Sequence, residues 1–469
     1  MGARPQESPR EMTLAVTRTK AEQALSHNFE AVAARLPGGS AVAEARKAAI
    51  GAFAALGLPH RRIEQWKYTD LRSAVKEALP PAVRATVQAD PRDIDAALEG
   101  LAALDCHRVV FVDGTYAPGL STPGVARGVE ITSLATALAQ RGHGADDLIR
   151  ERAPGEDAVI ALNTAYVTDG AVVRIAEGVQ LDKPLLLVFA HSGPQARLVT
   201  TRNVITVDDH ARGTLIEAHV ALPGAVAGQA NTLSEVSVGA AARLAHIKCT
   251  LAGEGASHLA TWLATLRQAA TYHAFQLTAG TGLVRNSVFA TFEGEGAKLD
   301  ISGAFLGRGA EHIDTTLVVD HKVPGCESRE LFKGVLGDRA RGVFQGKVIV
   351  RPDAQKSDGK QMAQALMLSE DAEFDSKPEL EIHADDVVCG HGSTAAEPDE
   401  DLLFYMRSRG IALEEARALL IESFIGEAID KVEDEGLRSA LAGIAKERLA
   451  GLSAAYPAAA GAAGSGERR

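Results

Sequence analysis

The chain is 469 residues long, 46% hydrophobic and 23% charged but only 4% aromatic, so a sizeable core has to be filled by Val, Leu, Ile and Ala. A formal net charge of -12 argues against a nucleic-acid surface or an anionic membrane, since both need clustered Lys and Arg. There is no apolar run long enough for a secretory h-region or a membrane span, and Cys106, Cys249, Cys326 and Cys389 lie far apart without a CxxC; the expectation is a cytoplasmic protein whose average thiol is a small buried hydrophobe.

Residues 1–156 read as an N-terminal helical region with a short α/β segment. KAEQALSHNFEAVAARL (20–36) and AVAEARKAAIGAFAALG (41–57) return apolar residues at three- and four-residue steps, with PGGS between them, which predicts two amphipathic helices. RRIEQWKYTDLR (61–72) brings Trp66 and Tyr68 together in a chain poor in aromatics, as an anchor onto a neighbouring layer does. CHRVVFVDGTYAPGLS (106–121) predicts a strand from Arg108 to Val112 and an Asp-Gly turn.

From Asp157 helical periodicity fades, and residues 157–397 read as a long all-β region of short Val/Leu/Ile/Thr runs broken by Gly, Asp and Asn. LLLVFA (185–190), TLIEAHV (214–220), LVRNSVFATF (283–292) and GVFQGKVIV (342–350) are examples. DHARGTLIEAH, GAAARLAHI, QAATYHAF and GEGAKLDIS place comparable strand starts at Leu215, Leu244, Tyr272 and Leu299, steps of 27 to 29 residues. That period fits the coils of a parallel β-helix with inward aliphatic side chains. A sandwich would instead need many Asn-Gly or Asp-Gly hairpins, and few are present. Helices return over 398–452. Asp399 is placed to cap the first and Gly410 to end it. The second, 412–432, carries Leu413, Ala416, Leu420, Phe424 and Ile425 on one face, flanked by Glu414, Glu415, Glu422 and Glu427. The low-complexity stretch 453–469 is expected to be disordered.

Several catalytic classes lack their signatures. Gly342 to Lys347 is the nearest approach to a P-loop but has the wrong spacing, and GxGxxG after a strand, HExxH and GxSxG are missing, so any ATP-driven step falls to a partner. The positive signal is EIHADDVVCGHGSTAA, 381–396. In an extended strand Cys389 and His391 project to the same face, and thiolate and imidazole both suit iron. Two ligands do not complete a cluster site, which usually takes four, so the pair is either half of a shared site or the polar end of a structural strand. His383 alternates with Leu380, Ile382 and Ala384 and reads as solvent-facing, while Asp385 and Asp386 shape a turn. His321 and Cys326 are candidate accessories. Lys333, Lys347, Lys356 and Lys360 read as solvated charges.

DHKVPGCESRELFKGVL (320–336), RGVFQGKVIV (341–350), AQKSDGKQ (354–361) and KPELEIHADDVVCGHG (377–392) together resemble the SufB/SufD family of iron-sulfur cluster assembly proteins. WKYTDL (66–71), LNTAYVTDGAVVRIAEGV (162–179) and FYMRSRGI (404–411) extend the resemblance over most of the chain, and the pattern lies on the SufD side of the family. One departure is Gln364, where the family commonly carries Asn. The resemblance implies a right-handed parallel β-helix flanked by N- and C-terminal helical regions, pairing with a SufB-like subunit through the β-helix and docking of a SufC-like ATPase on the C-terminal helices. It also implies a non-catalytic scaffold role and a transient iron-sulfur cluster, or iron, shared with the SufB-like subunit, with His391 and its neighbour Cys389 as cluster or metal ligands. Whether a flavin takes part is left open. The alternatives are a SufB-like primary cluster scaffold and a polysaccharide-acting β-helix enzyme; the second is opposed by the scarcity of aromatics and of any export signal.

Overall fold

The computed structural model describes residues 18–83, 89–122, 127–140, 144–150, 155–280 and 282–453; the expected disordered tail beyond Ser453 lies outside the described residues. The chain winds between two sheets, laying one strand in each per coil. Among the described residues sheet I has ten strands: the His107–Val112 and Thr115–Tyr116 hairpin, then Leu185–His191, Arg212–Ala221, Arg243–Leu251, Thr271–Ala279, Lys298–Gly307, Glu327–Leu336, Asp358–Met367 and Val388–Ala396. Sheet II has nine among the same residues: Val129–Ser133, Ala171–Ile175, Leu198–Val207, Gln229–Val238, Ser257–Leu266, Leu283–Phe292, His312–His321, Arg341–Val350 and Glu373–Ile382. Pairing is parallel along both sheets from Ala171 onward, and the antiparallel pairs among the described residues sit at the N-terminal end. This is a parallel β-solenoid, as the repeat spacing predicts.

Leu244, Tyr272 and Leu299 are mutual register partners, so two of the expected steps are correct. The first is off by two residues: Leu244 pairs with Gly213, and Leu215 with His246. The side-chain face is unchanged by a shift of two, and Gly213 is admissible there because Ile175 fills its place; a Cβ on Gly213 would lie 2.7 Å from Ile175 Cδ1. The Asp-Gly turn forms with both residues at positive φ, 46° and 72°, the geometry that matches strand twist in a two-residue hairpin. Its first strand belongs to sheet I and pairs with Leu185–His191, so the expected N-terminal α/β segment opens the solenoid.

Two further expectations need correction. The stretch from Asp157 opens with a helix, Ala158–Tyr166, capped by the Asp157 carboxylate. All nine of its residues are buried, so it shows no polar face and leaves no helical period to read. The solenoid interior is also not uniformly aliphatic. Glu217 is buried there, accepting from Ser234 Oγ at 2.6 Å and lying 3.1 Å from His246 Nε2. Burial pushes its carboxyl up, but His219 and His246 outweigh this and hold it well below the usual range. Lys248, pushed by burial down to about 8, donates to Asn286 Oδ1 at 2.5 Å. These two inward charges are tolerated because neighbouring polar side chains bond them.

Elsewhere the interior is staggered aromatic packing. Gly303 pairs with Phe332 and Phe305 with Gly334, so each ring occupies the volume its neighbour lacks. A Cβ on Gly334 would stand 2.1 Å from Phe305 Cε2. Gly334→Ala is therefore expected to overpack the coil and cost about 1–3 kcal/mol, read as a lowered urea midpoint at constant slope.

Helices cover both outer faces. On sheet II lie Lys20–Val32, Ser40–Leu56 and Ala158–Tyr166, forming one buried cluster with Trp66, Leu71 and Leu198. Trp66 is the expected anchor: the Arg285 guanidinium stacks over its ring at 3.8 Å, donates to Gln65 O at 2.7 Å and pairs with buried Asp314, which also accepts from Thr69. Tyr68 is only half-buried. On sheet I lie Pro91–Leu98, Leu413–Ile429 and Glu435–Ser453, against Ile247, Phe275, Leu277 and Leu306. The expected apolar face of the second C-terminal helix is rotated: Ala416, Ile421, Ile425, Ala428 and Ile429 are buried, whereas Leu413, Leu420 and Phe424 are half-buried. That face is core of this chain. Lys333, expected in solvent, is buried beneath the same helix, paired with Glu427 and 4.3 Å from the Phe424 ring centre; its stem packs while its charge reaches the rim.

Candidate functional site at the open end of the solenoid

Val388–Ala396 is the last strand of sheet I and Glu373–Ile382 the last of sheet II. Each has a pairing partner on one side only among the described residues. An inward position that the preceding coil buries is here open: Ile382, register partner of buried Val350, is 43% exposed, and Val388, on the outer face across the turn, is 62% exposed. Leu413–Ile429 packs on strands Lys298–Gly307 and Glu327–Leu336, short of this end.

The register sets Cys389 beside Gly359, His391 beside Gln361 and Ser393 beside Ala363. Gly359 and Ala363 face inward, so Cys389 and His391 do share the inward face, as their spacing predicts. Cys389 is half-buried and packs on the small cluster of Val348, Val350, Ala354 and Ala384. That burial pushes the thiol up, so it is protonated near neutral pH until a metal or base removes the proton. His391 is exposed, and its ring makes no side-chain hydrogen bond among the described residues. The donor set, one thiol and one imidazole at the rim of an open coil, suits iron in kind. Among the described residues no group of three or more His, Cys, Asp or Glu side chains is arranged to hold a metal ion, so the pair as it stands is incomplete.

The other candidates lie apart. His383 points outward at 47% exposure, with Nε2 3.0 Å from Glu381 Oε1. His321 is buried in an earlier coil, 3.2 Å from Ser328 Oγ and tilted on Phe292, and burial pushes it down to about 4. Cys326 sits buried at a coil corner, its thiol directed at the Gly294 and Pro324 carbonyls. Lys347 and Lys356 pair with Glu381 and Asp386 on the surface. Gln364, the departure from the family pattern, donates to Thr394 Oγ1 at 3.3 Å across the last strand pair, so it contributes to holding the edge.

Sequence reasoning missed two residues beneath the site. Gln361 and Glu330 occupy the same inward row as His391, one and two coils deeper respectively. Both lie inside quoted motifs, but polar residues in strands read as outward unless the register is known. The register comes from the stacking of the whole solenoid.

The chain is thus a parallel β-solenoid protein with helical covers and an open last coil that carries a thiol and an imidazole. Comparison with known proteins gives the family. The model described as "SUF system FeS cluster assembly, SufBD core domain" matches residues 189–424, and that of the "SufBD protein N-terminal region" matches 19–187. The iron-sulfur cluster assembly protein SufD of Escherichia coli is 31% identical over 84% of this chain and 90% of its own length. A SufBD family protein of Synechocystis is 30% identical over 84% and 88%, and SufD of Bacillus subtilis 27% over 63% and 67%. The chain belongs to the SufBD family of iron-sulfur cluster assembly proteins, and its similarity is of the SufD kind.

Proposed function

We propose that this chain is the SufD-type scaffold subunit of a SufBCD-type complex, supporting iron acquisition and cluster assembly where its last coil meets a SufB-type subunit. The observation that carries the reading is the open end of the solenoid. Two edge strands with one side unpaired among the described residues, an apolar rim at Ile382 and Val388, and the half donor set Cys389 and His391 all lie at one end of the solenoid. A free edge is a template for another strand, and a partner solenoid that continues both sheets supplies the missing ligands as well. Cluster and iron are cargo here, held briefly at the junction.

The C-terminal helices support the second contact. Glu400–Ser408 buries only Leu403 and leaves Leu402, Phe404 and Tyr405 exposed at 49%, 74% and 56%, and Leu419 of the next helix is 43% exposed. Exposed aromatic side chains of this kind mark a docking surface. We assign it to the SufC-type ATPase, which would supply the ATP hydrolysis this chain has no P-loop to perform. The Leu413–Ile429 core face, spent on sheet I, takes no part. Among the described residues no helix is long and apolar enough to cross a membrane, and we place the complex in the cytoplasm.

Co-expression of the tagged chain with SufB- and SufC-type subunits tests this. Both partners are expected to co-purify, and recovery of a lone chain under gentle conditions overturns the reading. His391→Ala is expected to lower the iron content of the anaerobically purified complex several-fold while leaving its composition intact, and Cys389→Ala to lower it less. Unchanged iron content and visible absorption in His391→Ala would remove that residue from the site.

A further inference from the structure

One inward row of sheet I runs through Ile301, Glu330, Gln361 and His391 as successive register partners. It begins apolar and turns polar for its last three members. Glu330 and Gln361 are both buried, and Gln361 Nε2 donates to Glu330 Oε2 at 2.5 Å. With its N–H₂ end committed downward, the amide leaves Oε1 without a hydrogen-bond partner among the described residues. The same amide crosses the interior to sheet II, where Gly346 faces it. A Cβ built on Gly346 would lie 2.0 Å from Gln361 Nε2 and 2.7 Å from its Oε1. Glycine inside a strand weakens it and marks a close approach, so this glycine is the seat of the amide. A buried amide oxygen left unbonded is costly, and the nearest row position still to be accounted for is His391.

We propose that Gln361 is a positioning residue for His391: held by Glu330 and seated over Gly346, its Oε1 accepts the ring N–H of His391 and thereby fixes which imidazole nitrogen is presented to the iron-sulfur cargo. The inference rests on the reading of His391 as a ligand. Adjacent parallel strands stand ~4.8 Å apart, and His391 lies on the same face as Gln361, so the ring and the amide are next neighbours in one row. A histidine that binds metal through one nitrogen usually donates its other N–H to a fixed acceptor, which sets the tautomer. Glu330 acts one step further back, by keeping the amide from turning over.

Ring ¹⁵N shifts of His391, assigned in selectively labelled full-length chain by loss of the signal in His391→Ala, report the tautomer directly. The parent protein is expected to hold one tautomer about tenfold over the other. Gln361→Leu removes the acceptor and Gly346→Ala fills its seat with every polar group left in place; in either, the ratio is expected to relax several-fold toward that of a solvated imidazole. Gln361→Glu, which keeps an oxygen facing His391, is expected to retain the parent ratio. Should Gln361→Leu fold poorly, Gly346→Ala and Gln361→Glu still decide the matter. The same tautomer ratio in all four proteins overturns the positioning role. Iron content separates the two readings: if His391→Ala leaves the complex fully loaded, the ligand assignment fails whatever the tautomer shows, whereas a loss there with tautomers indifferent to residue 361 removes only Gln361.

Discussion

Replacing Asp314 by Ala is expected to lower the free energy of unfolding by about 3–5 kcal/mol, the usual cost of stripping one partner from a buried ion pair. Its partner Arg285 is 2% exposed and stays behind with its guanidinium under Trp66. Thr69 loses an acceptor in the same step. These residues join the WKYTDL segment to sheet II, so the loss has a place as well as a size. Limited proteolysis should cut first within residues 18–83, before the solenoid strands. Asp314→Asn, which keeps an acceptor for Thr69 and loses the charge, should fall between the two in a denaturant titration. Equal stability of all three proteins would show that the layer is held by its apolar cluster alone.

Glu330→Gln is expected to do the opposite, and only at neutral to alkaline pH. Burial pushes the Glu330 carboxyl up to about 7 from 4.5, with hydrogen bonds from Gln361 and Ser328 pulling weakly the other way. Between those values the folded chain keeps a proton that the unfolded chain has released, so stability is full below pH 4.5 and falls as pH rises through the folded value. At about 1.4 kcal/mol per unit the loss reaches about 3 kcal/mol. The amide variant has no proton to lose and still offers Gln361 an acceptor. Its unfolding free energy should match the parent's near the acid end and exceed it by up to about 3 kcal/mol near pH 8. A difference that does not change with pH would mean that the carboxyl is ionised throughout.

How far the sequence anticipates this fold depends on which contacts carry each feature. The repeat at Leu244, Tyr272 and Leu299 was legible because each coil stacks on the last with nearly constant length, and the helices over 20–32 and 40–56 were legible because each has one wet and one dry face. Gln229–Val238 and Ala158–Tyr166 were not, for a shared reason: both are buried on all sides, and Asn231 and Asn163 bond each other's elements across the layer, so neither alternation nor a 3.6-residue period survives. The pairing of Cys389 with His391 on one face followed from two-residue spacing. The polar floor beneath them did not, because Glu330 and Gln361 come from strands 31 and 30 residues apart in register and acquire their meaning only when stacked.

The open last coil has a thermodynamic consequence. In a solenoid, stability is close to a sum over nearest-neighbour interfaces, and the terminal unit has one interface where every interior unit has two. Opening Val388–Ala396 or Glu373–Ile382 therefore costs less than opening an interior strand, and amide protection should decline toward that end. A partner that stacks there supplies the missing neighbour. Part of the binding energy of any such partner would then be local folding energy of the strand that carries Cys389 and His391, read as a rise in that strand's amide protection on binding.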